Sequence, residues 1–185
     1  MRIAIFGGSF DPPHMGHVYA AVHARLHAQV DAVWVFPVAH HPYGKVLSPF
    51  SQRLRLAQAA FADFPFVSVR EDESDNPQGH TITLIELLQQ RHPQHQWLLI
   101  GGSDTAADLD NWHRGNELRS IVEVHPIPRR GWDEHDPAAL PAISSTMVRE
   151  RLAMGTSVAH LIPQEVTRLI DQHRWYEDRS SAKLT

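Results

Sequence analysis

Cysteine is absent from this chain of 185 residues, which excludes disulfides, thiolate nucleophiles and cysteine-built zinc sites. No apolar run approaches the ~20 residues of a membrane-spanning helix. Nothing reads as a secretory leader, so the cytoplasm is the expected compartment and a membrane is not an expected partner. A positive surplus is missing too: 17 lysines and arginines stand against 21 acidic residues, a formal charge of −4. Without a basic stripe carrying interleaved aromatics, nucleic acid is not an expected partner. The motif inventory has gaps as well. Gly-x-x-x-x-Gly-Lys-Ser/Thr, Gly-x-Gly-x-x-Gly and Gly-x-Ser-x-Gly do not occur. These gaps remove P-loop NTPases, dinucleotide-binding Rossmann enzymes and elbow-type serine hydrolases.

What is present begins with length enough for one full core. Residues 1–177 are expected to form a single domain and 178–185 a polar, disordered tail. The 14 histidines are unusual. His40-His41 and the pair His92 and His95 admit a metal-binding reading, but their polar, proline-bearing surroundings favour solvated loops. The apolar run Ile3–Phe6 reads as a strand. Val18, Val22, Leu26 and Val30 at spacing four then predict a helix starting near His14 to Gly16, and Ala32–Pro37 a strand covered on both faces. Strand, helix and strand make a βαβ unit with parallel pairing and a right-handed crossover.

Further on, Ser51 reads as the N-cap of a helix bearing Leu54, Leu56, Ala57, Ala60 and Phe61, with Arg53 and Arg55 on its first turns. Phe66–Val69 predicts a third strand, Glu71–Gln78 an acidic turn, and Thr81–Gln90 a helix. Trp97–Ile100 is a fourth strand, running into Gly101-Gly102-Ser103-Asp104. Helical turns are expected through Leu109, Trp112 and Leu118, then a fifth strand at Ile121–Val124. The long segment Pro126–Ile143 is read as functional rather than filler. Ser144-Ser145-Thr146 caps a helix with Val148 and Leu152 inward. Pro163, Val166, Leu169, Ile170 and His173 mark a last one. The expected fold is α/β: a Rossmann-like, doubly wound parallel sheet of about five to six strands with helices on both faces.

The chemistry concentrates at two separated helix starts. Gly7-Gly8-Ser9-Phe10-Asp11-Pro12-Pro13-His14-Met15-Gly16-His17 leaves the first strand at its carboxyl end, where open α/β sheets bind ligands. Its glycines admit close backbone approach, and a helix N-terminus offers free N–H groups to a phosphate. Ser144-Ser145-Thr146, with Arg149 one turn on, pairs hydroxyls and N–H groups with a charged fork suited to phosphate. Taken alone, Ser144–Thr146 is an ordinary cap and Arg149 a surface arginine. Lys45, in a glycine-bearing loop, either closes over a triphosphate or is solvated.

Those two stretches together resemble the nucleotidyltransferase superfamily defined by a His-x-Gly-His motif and a distal Ser-Ser-Thr-x-x-Arg motif. Within it, the sequence is most similar to the bacterial nicotinate-nucleotide adenylyltransferases. Gly102-Ser103-Asp104, with Trp112 following, resembles that family's Gly-Ala-Asp and Trp, and His80-Thr81-Ile82 stands where it has Tyr-Thr-Val/Ile. Ile162-Pro163 to Trp175-Tyr176 resembles its closing helix. The chain departs where the family continues Tyr-Thr-x-Asp-Thr-Leu, here His80-Thr81-Ile82-Thr83-Leu84-Ile85. His41-Pro42-Tyr43-Gly44-Lys45 replaces its Pro-Pro-His-Lys/Arg loop, and Ser51-Gln52-Arg53 is one residue shorter than its Ser-x-x-Arg.

The resemblance implies transfer of AMP from ATP to nicotinate mononucleotide, with pyrophosphate released and no covalent enzyme intermediate. His17 would serve the α/β-phosphates with His14 beside it; Ser145, Thr146 and Arg149 would hold the β/γ-phosphates. Gly7, Gly8, Ser9, Phe10, Gly16, Lys45, Gly102, Asp104 and Ser144 would complete the ATP site. Trp112 would stack on the acceptor's pyridine, with Thr81 meeting its carboxylate. The implied ligands are ATP and a pyridine mononucleotide, with Mg²⁺ carried by ATP and no dedicated protein metal site. Asp11 and Asp104 would shape loops or contact ribose. Alternatives are a superfamily member with another acceptor (nicotinamide mononucleotide or phosphopantetheine), a non-catalytic nucleotide-binding protein, and a histidine-rich metal binder. The departures at His80–Ile85 and at His41–Lys45 fall on the acceptor side.

Overall fold

The computed structural model describes residues 1–133 and 135–177; the expected tail at 178–185 lies outside them. Five parallel strands form one sheet in the order β3-β2-β1-β4-β5. They are β1 (Arg2–Gly8), β2 (Ala32–Pro37), β3 (Val67–Val69), β4 (Gln96–Gly102) and β5 (Glu123–Ile127). The helices are α1 (Met15–His27), α2 (Phe50–Phe61), α3 (Thr81–Arg91), α4 (Ser103–Ala107), α5 (Gly115–Ile121), α6 (Ser145–Ala153) and α7 (Gln164–His173), with 3₁₀ turns at Asp72–Asp75 and Leu109–Asn111. The doubly wound α/β architecture predicted above is the one observed, with the strand count at five.

Strand residues alternate between two cores, which is why the strands read as continuous apolar runs. Ala4, Phe6, Val33, Val35, Leu98 and Ile100 pack with α1, α2, α6 and α7. Ile5, Phe36 and Leu99 pack with Ile82, Ile85 and Leu88 of α3 and Leu118 of α5.

The order has its switch point between β1 and β4. Pairing of β1 with β4 stops at Ile5↔Leu99, while pairing with β2 runs on to Gly8↔Pro37. The carboxyl ends of β1 and β4 therefore part, and Gly7-Gly8 and Gly101-Gly102 border the crevice. This divergence is what a doubly wound sheet offers a ligand.

Several local expectations need correction. The buried side of α1 is Val18, Ala21 and Ala24, with Ala28 just beyond, whereas Leu26 is 70% exposed. Small alanines let α1 lie close on the sheet, so the large apolar residues were the wrong guide. Pro49, not Ser51, occupies the N-cap of α2, and Arg53, on its first turns as expected, is 1% exposed. The fifth strand starts at Glu123, two residues later than expected, because Ile121 ends α5 and Val122 caps it. Pro126 fits inside this strand because β5 lies at the sheet edge, where a missing N–H costs no ladder bond. Trp112 lies outside any helix, and His173 is exposed and stacks on Trp175. His92 and His95 are not simply solvated loop residues: both pack edge-on against Trp34.

Candidate active site

A cavity of about 580 Å³ opens at the crevice between β1 and β4. Its walls contain Gly7, Gly8, Ser9, Phe10, His14, Gly16 and His17 from the first motif, and Ser144, Ser145 and Thr146 from the second. Lys45, Thr81, Gly102, Asp104 and Trp112 line it as well. Arg149 is not part of the wall; it sits behind it.

The first motif is held in a shape the local sequence alone does not favour. Phe10 has φ 48, left-handed backbone that a bulky residue rarely adopts. Its fully buried ring offsets that strain by packing against Phe6, Phe61 and His17. A Cβ on Gly8 would stand 3.1 Å from the Phe10 ring, and one on Gly16 2.9 Å from His14 Nδ1. Gly7 has open space there, leaving bare backbone beside the cavity.

His14 is the N-cap of α1, and its ring lies 3.7 Å from that of His17 between centroids. The His14 backbone N–H donates to His17 Nδ1 at 3.1 Å. Nδ1 of His17 therefore acts as acceptor, which leaves the proton of the neutral ring on Nε2 as a donor for a phosphate oxygen. Both rings resist protonation. Burial, and secondarily the Arg129 guanidinium, lowers His14 from 6.5 to about 4. Burial, then His14 and Arg129, holds His17 well below its ordinary value.

The second motif meets the first across the chain. Ser144 caps α6 by accepting from Met147 N–H at 3.2 Å, an ordinary cap bond. Ser145 Oγ donates to Pro12 O at 2.9 Å and Arg149 Nη1 to Asp11 O at 2.6 Å. Arg149 Nη2 also donates to Thr146 Oγ1 at 3.2 Å. Asp11 shapes the loop: Oδ2 accepts from Ser48 N–H at 3.1 Å and Oδ1 from Tyr176 Oη–H at 2.7 Å. Beneath it, buried Arg53 donates to Ser9 O at 2.9 Å and Ser48 O at 2.8 Å. Arg53 thus ties the Gly7–His17 loop to the Lys45-bearing loop, work that its one-residue offset from the family spacing gave no hint of.

Arg129 is a site residue the sequence reading did not single out. It lines the cavity, donates to Ile143 O at 2.9 Å, and lies 3.6 Å from Asp104 Oδ2. The available signal was Arg129-Arg130-Gly131 within a long loop already taken as functional. An isolated bridge between Arg129 and Leu140 closes that loop.

The far end of the cavity holds Thr81, the first residue of α3, and half-buried Trp112. His80 and His113 lie beside them, rings stacked 4.1 Å apart at 15°. Glu73, placed by sequence in an acidic turn, is 2% exposed in this wall. Burial pushes its carboxyl from 4.5 up to about 7, against the opposing hydrogen bonds of Asn76 and the Ala39 N–H. Asn76 Nδ2 bridges Glu73 Oε2 at 3.2 Å and His80 O at 3.1 Å. Gly79, at φ 67, passes so close to His40 that a Cβ would lie 2.0 Å from the His40 carbonyl oxygen. The loops carrying Lys45 and Thr81 are thereby packed backbone against backbone. Among the described residues, no group of three or more His, Asp or Glu side chains is arranged to hold a metal ion. Asp104 Oδ1 is buried without a hydrogen-bond partner, and Oδ2 faces Arg129.

Comparison with known proteins agrees with this arrangement. A model of the cytidylyltransferase-like family matches residues 5–151. The chain is 37% identical to a probable nicotinate-nucleotide adenylyltransferase of Anaeromyxobacter sp. (strain K), covering 95% of this chain and 96% of that protein. It is 30% identical to the nicotinate-nucleotide adenylyltransferase of Bacillus subtilis (strain 168), covering 95% and 98%. Among solved structures, Plasmodium falciparum nicotinic acid mononucleotide adenylyltransferase complexed with NaAD has a similar fold. Its TM-score is 0.81 at 21% identity, over 95% of this chain and 97% of that one. A putative nicotinate-nucleotide adenylyltransferase from Vibrio parahaemolyticus gives 0.74 at 22% identity, over 91% and 97%. With both motifs at one cavity and relatives matched over nearly their whole length, the chain belongs to the cytidylyltransferase-like family, among the nicotinate-nucleotide adenylyltransferases.

Proposed function

We propose that the protein transfers AMP from ATP to nicotinate mononucleotide, forming the dinucleotide and pyrophosphate. The observation that carries this reading is the meeting of two phosphate-type motifs, through Arg149–Asp11 at 2.6 Å and Ser145–Pro12 at 2.9 Å, on one cavity with an aromatic far end. The acceptor's 5′-phosphate is an anion at neutral pH and needs no base to become a nucleophile. One of its oxygens attacks the α-phosphorus of ATP in line as the bond to the bridging oxygen breaks, and pyrophosphate leaves with the electron pair. The protein's part is alignment and offset of charge.

His17 donates from Nε2 to the α/β-phosphate region and His14 stands beside it. Arg129 adds positive charge at the same wall. The α6 N-terminus with Ser144, Ser145 and Thr146 takes the β/γ-phosphates. Arg149 contributes by fixing Asp11, and through it the Gly7–His17 loop, as well as by its charge. Gly7, Gly8, Ser9, Phe10, Gly16 and Gly102 give the backbone room the nucleotide needs, while Lys45 supplies a cation from the facing loop. Trp112 stacks on the pyridine, and Thr81 with neighbouring N–H groups meets its carboxylate. Mg²⁺ would arrive with the triphosphate and neutralise charge on the phosphates. Asp104, a wall carboxylate with a buried oxygen lacking a partner, suits an ion held mainly by phosphate and water. Residues 1–177 act as one domain in this reading, since both ends of the cavity belong to one sheet.

The deciding experiment incubates the protein with ATP, Mg²⁺ and one acceptor at a time, and measures pyrophosphate. Release with nicotinate mononucleotide, and much slower release with nicotinamide mononucleotide or phosphopantetheine, is expected. Equal or faster release with either of the others would overturn the choice of acceptor, and none with any would overturn the activity.

A further inference from the structure

The acceptor end of the cavity contains a pair of groups that the proposed chemistry leaves without a task. His80 and His113 stack at 4.1 Å and 15°, side by side in the cavity wall, next to Thr81 and Trp112. They come from different elements. His80 is the N-cap residue of α3, whose side chain makes no cap hydrogen bond. His113 follows Trp112 in the turn before α5. Their relative position is fixed from outside the pair. Asn76 Nδ2 holds the His80 carbonyl at 3.1 Å, and Arg114, adjacent to His113, is bound by Glu86 and Glu117.

Two imidazoles this close cannot both carry a proton at little cost, because their like charges repel. Desolvation and the neighbouring His113 lower the affinity of His80 for a proton. His80 therefore binds a proton less readily than an isolated imidazole does. A carboxylate placed beside it reverses the balance, since an adjacent anion favours imidazolium. A carboxamide of the same shape carries no charge and does not. The two pyridine mononucleotides considered above differ in this one respect.

We propose that the His80–His113 stack reads the acceptor's charge: it takes up a proton from solvent as a pyridine carboxylate binds, and so favours nicotinate over nicotinamide. The inference rests on the adenylyltransferase reading and on the acceptor end lying at Thr81 and Trp112. The only bond made is N–H on an imidazole nitrogen, and the proton comes from water or buffer. Other charged groups flank the pair or line the same cavity. Glu117 and Glu86 are engaged by Arg114. Lys45 and His41 stand on the loop opposite, Asp108 follows α4, and Glu73 lies in the 3₁₀ turn. Glu73 matters most as a rival, since its carboxyl also titrates near neutrality. The stack is partly open to water, so its effect is moderate. Near pH 7, a rise of half to one pKa unit from an ordinary histidine value corresponds to a preference of at most about threefold.

The test is calorimetric titration of the protein with nicotinate mononucleotide and, separately, nicotinamide mononucleotide, without ATP. Each is run in two buffers of different ionisation enthalpy near pH 7, which yields the protons taken up. The mononucleotide phosphate titrates alike in both ligands and cancels in the comparison. Net uptake with the nicotinate ligand alone is expected. It should change in His80→Phe and in His113→Phe, which keep a flat ring, disappear when both are replaced, and persist unchanged in Glu73→Gln. The nicotinate preference should fall by up to about threefold in both phenylalanine variants. Equal uptake with the two ligands overturns the proposal, as does loss of uptake in Glu73→Gln alone. The ligand comparison in the unsubstituted protein decides even if a variant does not fold. Failure of the underlying reading is seen separately, as no pyrophosphate release with ATP and either mononucleotide.

Discussion

Glu73→Gln should make the protein more stable at pH 8 and leave it nearly unchanged at pH 4.5. The carboxyl is 2% exposed and its partners are Asn76 Nδ2 and the Ala39 N–H, both neutral donors. Burial dominates and raises its pKa from 4.5 to about 7. Below 4.5 the group is protonated in both folded and unfolded chains, so it contributes no penalty. Between 4.5 and 7 the unfolded chain releases the proton while the folded one keeps it, and the folded state loses relative stability throughout that window. Above 7 the loss levels off. At ~1.4 kcal/mol per tenfold change in an ionisation constant, the plateau is about 3 kcal/mol.

Glutamine removes the charge but keeps an acceptor for Asn76 and Ala39. Its amide N–H₂ can also donate to Asn76 Oδ1, which is buried without a partner. Urea unfolding of both proteins at pH 4.5, 6 and 8 measures the difference, with the remaining titrating groups common to both. A stability gain that grows by about 3 kcal/mol between the extremes is expected. A gap independent of pH, or a variant less stable at pH 8, would refute the reasoning.

Acid acts on the other end of the cavity with the opposite sign. Burial lowers His14 from 6.5 to about 4, so its contribution is complete above 6.5 and is lost as pH falls toward 4. His14→Asn should flatten the acid limb of the stability curve by up to about 3 kcal/mol, read by the same unfolding series. His17→Ala removes the Nε2 donor from the reacting phosphates. Its kcat should fall by about 10²- to 10³-fold with a far-ultraviolet circular dichroism spectrum unchanged, and a kcat near that of the parent would remove His17 from the chemistry. Trp112→Ala should raise the KM for the mononucleotide about tenfold or more while the KM for ATP stays within about twofold. Parallel changes in both constants would show that the two ends of the cavity are not separate.

The catalytic end was readable from sequence because its chemistry is local. Gly7-Gly8 after an apolar strand and His14 and His17 at a helix start carry their meaning in a few adjacent residues, and Ser144–Thr146 with Arg149 gains its meaning once paired with them. The sheet was readable for a similar reason: continuous apolar runs belong to strands covered on both faces, and they alternated with helical spacing. The acceptor end was not readable in this way. Its residues come from Glu73, Thr81, Trp112 and His113, on separate elements, and their properties depend on burial. Glu73 sits in the string Glu71-Asp72-Glu73-Ser74-Asp75, where nothing distinguishes the one carboxyl that leaves water. Arg53 looked like any helical arginine until the loops at Ser9 and Ser48 closed over it. The α1 stripe failed because alanine is a weak apolar signal, although close approach to the sheet requires it.

By itself, then, the sequence determined the strand order's raw material, the two phosphate motifs and the class of reaction they suit, since these follow from periodicity and from groups adjacent along the chain. The tertiary structure alone decided that Arg149 donates to the Asp11 carbonyl and that Arg129 lines the same cavity. It also decided that His80 meets His113 and that Glu73 holds its proton near neutrality. Each of these depends on which distant groups share a low-dielectric space, and that is set by packing, not by neighbours in sequence.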